Sequence, residues 1–530
     1  MKKQICLINP PSAFLLDERV FMSLGILKIA AVLEERGYDV HMLDTSGIDN
    51  YLEVVRDYLN QSKTDLFGFT ATTPQMPYVR RIAQTIRELR PSAKTILGGS
   101  HVTLVHAAYR REQAEQTVKR AKTAFDQLAG GFDVLVAGDG EKAIFEALLP
   151  NAPKVVDGDN PRGNLFLSNS DLDTLPFPAR HLLDVDSYRY WIEGIRSLSL
   201  ITQLGCPFAC GFCGGRDAPS LRRPRVHSID KIIEEMEVIY KDYGIHGIMF
   251  YDDELNVNPN MIQLMKAISA LKTKLGVEFR LRGFIKSELF NDEQAKAMYD
   301  AGFRWILTGF ESGSPRILKN INKKSTLEDN TRCVEIARRH GLKVKALMSL
   351  GHPGESEETV LQTRDWLLQV KPEDFDLTII TTYPGTPYYD KAVRSPENPD
   401  VWIYTFEPTG DRLYSYEVDY GEVSSYYKGC PDEGYQAFVY TDTLRSEDLV
   451  AMRDKVEKEV REQLKIPYNP RATKNRYEHS MGQMGALPSS ILRTTPASLS
   501  GSLSQKPDPK PAKLTNAVHS PTLNLKNLQH

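Results

Sequence analysis

The sequence predicts an α/β protein of two large parts, an open doubly wound domain over residues 1–150 and an incomplete six-unit βα barrel over residues 198–395, followed by a small α+β cap. Three observations predict this. Short apolar runs alternate with amphipathic stretches in two separate series, as consecutive βα units of a parallel sheet do. Glycine-rich turns close several of the apolar runs. Finally, Cys206, Cys210 and Cys213 crowd together directly after the first strand of the second series.

In the first series, residues 4–8 read as a buried strand, 24–36 as a helix ending before Gly37, and 39–43 as the next strand. Strands at 66–70, 94–97 and 134–137 follow, with helices at 78–90 and 141–149 and a charged, inserted helix over 107–128. The ligand site of such a domain lies beyond the carboxyl ends of its strands. Residues 151–197 carry Pro161, Pro176 and Pro178 and read as a connector.

A strand at 198–204 opens the second series, and Ser228 caps the helix that follows it. Strands are expected at 247–251, 278–282, 305–308, 343–350 and 375–381, separated by helices such as 327–340. Chemistry in such a barrel sits at the carboxyl ends of the strands, and a barrel open on one side admits a bulky partner. Residues 396–484 form the cap. Eleven of the 24 tyrosines fall in 383–440, beside Trp402 and Phe406, and either cover the barrel or contact substrate as a lid. Ser446 is expected to cap a helix through about residue 464. From residue 485 the chain is rich in Ser, Pro, Thr, Asn and Lys and is predicted to be disordered.

Composition narrows the function. With 41% hydrophobic and 25% charged residues the chain is ordinary globular protein. Sixty-six basic against 69 acidic side chains leave −3, so no overall basic field attracts nucleic acid or an anionic membrane. No apolar stretch reaches the ~18 residues of a transmembrane helix, and Pro10-Pro11 and Asp17-Glu18 interrupt the start, so the expected location is cytoplasmic. Six cysteines are too few for a disulfide scaffold. Cys333 reads as a packed small hydrophobe, whereas Cys430 is a candidate to reach the active site.

Gly205-Cys206-Pro207-Phe208-Ala209-Cys210-Gly211-Phe212-Cys213 is a C-x3-C-x2-C loop after a strand. Three thiolates so spaced can wrap one inorganic body, and thiolate is the ligand that iron–sulfur clusters and zinc share. A closed zinc site wants a fourth ligand, and only His227 lies within reach in sequence. Three ligands on a [4Fe-4S] cube leave one iron open.

This loop, with Phe212 before the last cysteine and a six-unit barrel around it, resembles the radical S-adenosylmethionine superfamily over about residues 198–390. The resemblance implies that Cys206, Cys210 and Cys213 hold a [4Fe-4S] cluster whose open iron chelates S-adenosylmethionine, and that an electron splits the sulfonium to give a 5′-deoxyadenosyl radical. It implies cofactor contacts for Asp252 and Asp253 in Tyr251-Asp252-Asp253-Glu254, which replaces the common Gly-Gly-Glu. Glu311 and Ser312 in Gly309-Phe310-Glu311-Ser312-Gly313-Ser314 are similar to a Gly-Ile-Glu-Ser-Gly-Ser that lines the adenosyl site. Arg282 pairs either with the methionine carboxylate or with Asp252 or Asp253.

Residues 1–150 resemble the cobalamin-binding domain that precedes the barrel in one branch of this superfamily. The matching pieces are Asn9-Pro10-Pro11, Leu24-Gly25-Ile26-Leu27, Gly98-Gly99-Ser100-His101-Val102-Thr103 and Gly138-Asp139-Gly140-Glu141. The Asp-x-His-x-x-Gly loop that supplies a histidine to cobalt in other cobalamin domains is absent. The loop 71–77 is expected to approach cobalt's lower face, with Gln75 or Met76 nearest, and His101 and Thr103 to lie at the cofactor's periphery.

Together these resemblances imply a cobalamin-dependent radical enzyme that methylates an unactivated carbon, or a phosphinate phosphorus, of a small molecule, with flavodoxin or ferredoxin as electron donor. Oxidative cyclisation or rearrangement without methyl transfer is the alternative enzyme, and a non-catalytic cobalamin or cluster sensor the alternative class. Methylthiolation calls for three further cysteines in the front domain, where only Cys6 lies.

Overall fold

Gln4–Asn9 forms the first strand, β1, and its residues are buried on both faces, as a central parallel strand requires. Ile5 and Leu7 pack with Ile26, Ala30 and Leu33 on one side, and Cys6 and Ile8 with Phe67, Val79 and Ile82 on the other. The computed structural model describes residues 3–12, 18–48, 50–117, 119–423 and 436–466. Cys430 and the tail from 485 lie outside the described residues.

The front sheet contains β1, β2 (Asp39–Asp44), β3 (Leu66–Thr70), β4 (Lys94–Gly98), β5 (Val134–Gly138) and β6 (Val155–Gly158). All are parallel, in the order β2-β1-β3-β4-β5-β6. β6 was not expected: this four-residue strand lies in the stretch read as a connector and is too short for a periodic signal. The expected single helix over 107–128 is two, Ser100–Ala114 and Arg120–Gly131, with Gln116 between them at φ +53. A further helix, Tyr51–Gln61, joins β2 to β3.

The second sheet begins with the antiparallel hairpin β7 (Tyr190–Ile192) and β8 (Ile195–Leu200). After the short hairpin β9 (Gln203–Leu204) and β10 (Arg225–Val226), it continues with β11 (Gly247–Phe250), β12 (Arg280–Phe284), β13 (Phe303–Glu311), β14 (Lys343–Leu350) and β15 (Asp374–Ile379). The order β15-β14-β13-β12-β11-β8-β7 is the expected partial barrel. Ser228 caps its helix as expected, accepting from the Lys231 amide. Cys333 is fully buried in the core.

The side expected to stand open is covered. Helix Ser446–Leu464 lies along the edge strand β15, where buried Arg461 donates to the Phe375 carbonyl at 2.6 Å and pairs with Asp374 at 3.2 Å and with Glu457. Lys345, on β14, pairs with Asp374 and Asp376. Ser446 is the first residue of this helix rather than its cap; the Asp448 carboxylate accepts from the Arg445 amide instead. The cap sheet is antiparallel, with β16 (Val393–Arg394), β17 (Val401–Phe406), β18 (Asp411–Tyr416) and β19 (Val439–Thr441). Among the tyrosines expected to cover the barrel or contact substrate, Tyr388, Tyr389 and Tyr420 are buried, and Tyr420 donates to the Thr382 carbonyl.

Buried polar contacts fix the two large parts together. Arg225 beside β9 pairs with Asp139 beyond β5, both nearly inaccessible. The Asp159 carboxylate accepts from the Ser220 amide at 2.8 Å and hydroxyl at 2.6 Å.

Candidate active site

The cysteine loop is held by its backbone. Cys206 N–H donates to the Leu221 carbonyl at 3.0 Å, Gly211 N–H to Ile321 at 2.7 Å and Gly215 N–H to Gly385 at 3.1 Å, while Gly211 accepts from Tyr388 N–H. Gly205 sits at φ +83, where a Cβ would overlap the Arg223 carbonyl. Glycine is therefore required for the turn that delivers Cys206.

Burial pushes all three thiols up, Cys206 to about 11 and Cys213 to about 12, and Cys213 also feels Cys206 and Cys210. As free thiols they are protonated at neutral pH and poor nucleophiles; a bound metal centre would deprotonate them. Among the described residues no three His, Cys, Asp or Glu side chains gather closely enough to hold a single metal ion. His227 is no fourth ligand: its Nε2 lies 3.5 Å from Lys28 Nζ in the domain interface.

Cations surround this loop. Arg216 Nη2 reaches Cys213 Sγ at 3.8 Å, Lys286 Nζ lies 4.2 Å over the Phe208 ring, and buried Lys323 pairs with Glu311 at 2.8 Å. Sequence reasoning missed these two lysines; the only signal was a lone Lys in the apolar run Phe284-Ile285-Lys286 and another after Asn320-Ile321-Asn322.

The expected cofactor residues divide. Asp252 is occupied: its carboxylate accepts from Thr202 N–H at 2.7 Å, Gln203 N–H at 2.6 Å and the Thr202 hydroxyl, so it builds the turn after β8. Its neighbour Glu254, quoted in the motif but not singled out, is the better-placed carboxylate. Glu254 Oε2 is buried without a hydrogen-bond partner, and burial pushes the group to about 7. Asp253 is likewise raised by burial, with Arg216 opposing. Arg282 pairs with neither Asp252 nor Asp253; its guanidinium lies 5.4 Å over Trp305 in the barrel interior. Glu311 sits at φ +66 beside a β-bulge, a strained backbone that turns its carboxylate inward. Burial raises its pKa, but Lys323 and the Ser349 hydroxyl outweigh that and hold it low. Ser349 also bonds His352 Nε2 at 2.8 Å, and His352 packs edge-on against Phe212. Ser312 faces away from the site: its hydroxyl bonds Thr363 and accepts from Ser314 N–H.

In the front domain, Gly99 lies at φ +99 and a Cβ there would meet the Ala71 amide nitrogen and carbonyl at 2.7 Å, so β4 ends in a turn only glycine permits. Thr103 ties the ends of β4 and β5, donating to the Gly99 carbonyl and accepting from Gly138 N–H. Glu141 is buried in the first turn of helix Gly140–Ala147. Three of the expected residues make other contacts. Asn9 turns back onto Asp44 and Ser46. Gln75 closes a capping box with Thr72 and donates to the Pro10 carbonyl. Met76 packs in the front core, though it also lines the cavity described next.

A cavity of about 620 Å³ opens beside His101, between the front domain and the cap, with Arg80, Arg120, Tyr389 and Trp402 in its wall. Arg120 is buried between the Tyr389 and Trp402 rings with its Nε unpartnered. His101 bonds the Thr73 hydroxyl through Nδ1, and burial lowers it to about 4, so it is neutral. The front domain also touches the cysteine loop: a Cβ on Gly214 would lie 2.8 Å from Leu104, which follows the Gly98-Gly99 turn by one helical turn.

Residues 200–367 match the radical SAM superfamily and residues 18–129 the B12 binding domain. An uncharacterized methyltransferase of Pyrococcus horikoshii is 28% identical over 412 residues, 74% of this chain and 83% of its own. The anaerobic magnesium-protoporphyrin IX monomethyl ester cyclase of Rubrivivax gelatinosus is 24% identical over 400 residues, 71% of this chain and 67% of its own. The structure of the radical S-adenosylmethionine methyltransferase TsrM from Kitasatospora setae, with cobalamin and [4Fe-4S] cluster bound, covers 76% of this chain and 81% of that one at 20% identity and a TM-score of 0.56, a shared fold.

Proposed function

We propose that this chain, a radical S-adenosylmethionine protein with a front B12-binding domain, is a cobalamin-dependent methyltransferase acting on a carbon or phosphorus of a small molecule. The observation that carries this is the cysteine loop, three buried thiols within eight residues, packed against Leu104 in the helix that follows the glycine turn of the front domain. Cys206, Cys210 and Cys213 fit a [4Fe-4S] cluster, and the orphaned Glu254 Oε2 fits an ammonium beside it. Gly98-Gly99, His101 and the adjoining cavity, with the orphaned Arg120 Nε in its wall, fit cobalamin. When bound, cluster and S-adenosylmethionine supply hydrogen-atom abstraction and cobalamin a transferable methyl group.

The chain's own residues position and shield. Lys286 and Lys323 place positive charge near the cysteines, Glu311 at the end of β13 accepts from Lys323 and Ser349, and the cap is tied to the loop after β14 by Thr441, which donates to the Glu355 carbonyl. A reduced flavodoxin or ferredoxin is the expected electron donor and the cytoplasm the expected compartment; among the described residues no helix is long and apolar enough to cross a membrane.

Anaerobic reconstitution with iron, sulfide and cobalamin, followed by addition of S-adenosylmethionine and a one-electron reductant such as titanium(III) citrate, tests this. Formation of both 5′-deoxyadenosine and S-adenosylhomocysteine is expected. The similarity to the cyclase supports oxidative cyclisation as the second reading; 5′-deoxyadenosine without S-adenosylhomocysteine would favour it over methyl transfer, and neither product would count against both enzyme readings.

A further inference from the structure

Arg282 is a charged group of the barrel interior that the proposed cofactors do not claim. Arg282, on the inner face of β12, is 1% exposed, and its Nε and Nη2 have no hydrogen-bond partner. Pairing sets Met249, Arg282 and Trp305 abreast, and the Tyr190 hydroxyl bonds the guanidinium. No carboxylate among the described residues pairs with it. A buried donor left unmatched costs about 1–3 kcal/mol, more when charged, so such an edge is unfavourable unless something binds it.

The unmatched pair is the Nε–Nη2 edge, the side of the guanidinium whose two parallel N–H bonds fit a carboxylate. Above it stands an aromatic collar. Phe21, reaching over from the front domain, lies 4.8 Å from Tyr190 and 5.2 Å from Tyr251, and Tyr251 meets Phe284 edge-on at 6.3 Å. The collar is partly open, since Tyr251 is 38% exposed at the mouth of the barrel. Arg282 also stands apart from the cysteines, whose neighbouring cations are Arg216, Lys286 and Lys323.

We infer that Arg282 and this collar form the substrate pocket, and that the substrate has a flat, unsaturated body bearing a carboxylate that docks on the Nε–Nη2 edge. This rests on the proposed function and names its substrate class. The collar supplies apolar, quadrupolar faces and the cation fixes orientation, so one edge of the flat body is turned toward the front domain.

Calorimetric titration of the reconstituted full-length protein with 2-naphthoate and with its uncharged isostere 2-naphthamide tests this. The carboxylate is expected to bind at least tenfold tighter than the amide. Arg282→Met should erase the difference, Arg282→Lys should keep part of it, and Phe284→Ala should weaken both probes alike. The affinity for S-adenosylmethionine should be the same in Arg282→Met as in the parent. No binding of the carboxylate, equal binding of both probes, a preference surviving in Arg282→Met, or a loss of S-adenosylmethionine affinity in that variant would each overturn the inference. Iron content and visible absorption of the same preparations report separately on the cluster, so failure of the broader function is distinguishable. Should Arg282→Met not fold, Arg282→Lys carries the test.

Discussion

Replacing Gly205 with alanine should disable the metal centre without unfolding the protein, and the structure lets the effect be divided. At φ +83 an L side chain costs about 1–2 kcal/mol. The new Cβ would also press on the Arg223 backbone, lying 2.8 Å from its carbonyl carbon, and overpacking against such a neighbour adds about 1–3 kcal/mol. The combined effect, about 2–5 kcal/mol, removes the ligating conformation of the loop by a factor of about thirty to several thousand. Gly194 supplies the control: it lies at φ +80 in the β7–β8 turn with nothing within 4 Å of its Cβ position, so Gly194→Ala carries the dihedral cost alone. The assay is iron and sulfide bound per chain after anaerobic reconstitution, with far-ultraviolet circular dichroism as the check on folding. Gly205→Ala should bind little iron while Gly194→Ala binds it normally. Equal iron in Gly205→Ala and the parent would refute the reasoning, because the delivery of Cys206 would then not depend on that turn.

Glu355 is fully buried, and burial raises its pKa from 4.5 to about 7. The folded state thus holds the proton more tightly than the unfolded chain, and about 3 kcal/mol of stability present below pH 4.5 is lost as pH rises through 7. Glu355→Gln should remove that dependence, so its melting temperature should gain on the parent across this range. Arg225→Met should lower stability by about 3–5 kcal/mol by stranding Asp139, and adding Asp139→Asn should restore most of it in thermal melts. Arg216→Met removes an N–H donor and a positive charge from Cys213 Sγ, and should make the cluster potential more negative in a titration monitored by electron paramagnetic resonance.

Much of this arrangement was legible in the chain. β3 and β14 fall where apolar runs and turns placed them, because strands buried on both faces need continuous apolar residues. The cysteine loop was legible because its spacing is itself the chemistry. What escaped was decided by partners distant in sequence. Asp252 and Glu254 are nearly indistinguishable as letters, yet the amides of Thr202 and Gln203 occupy the first and leave the second with a bare oxygen. Gln75 and Asn9 looked available for a ligand and are hydrogen-bonded to the backbone and side chains beside them. β6 escaped because only its pairing with β5 makes four residues a strand.

The helix Ser446–Leu464 has a consequence for how the molecule is made. A chain leaving the ribosome completes the front sheet once residue 158 has emerged, but β15 waits some seventy residues more for its cover. During that interval its unpaired edge and the charges of Lys345, Asp374 and Asp376 lack Arg461 and Glu457. Synthesis therefore passes through a stage in which one half is finished and the other presents a naked strand, the stage at which chaperones are most needed.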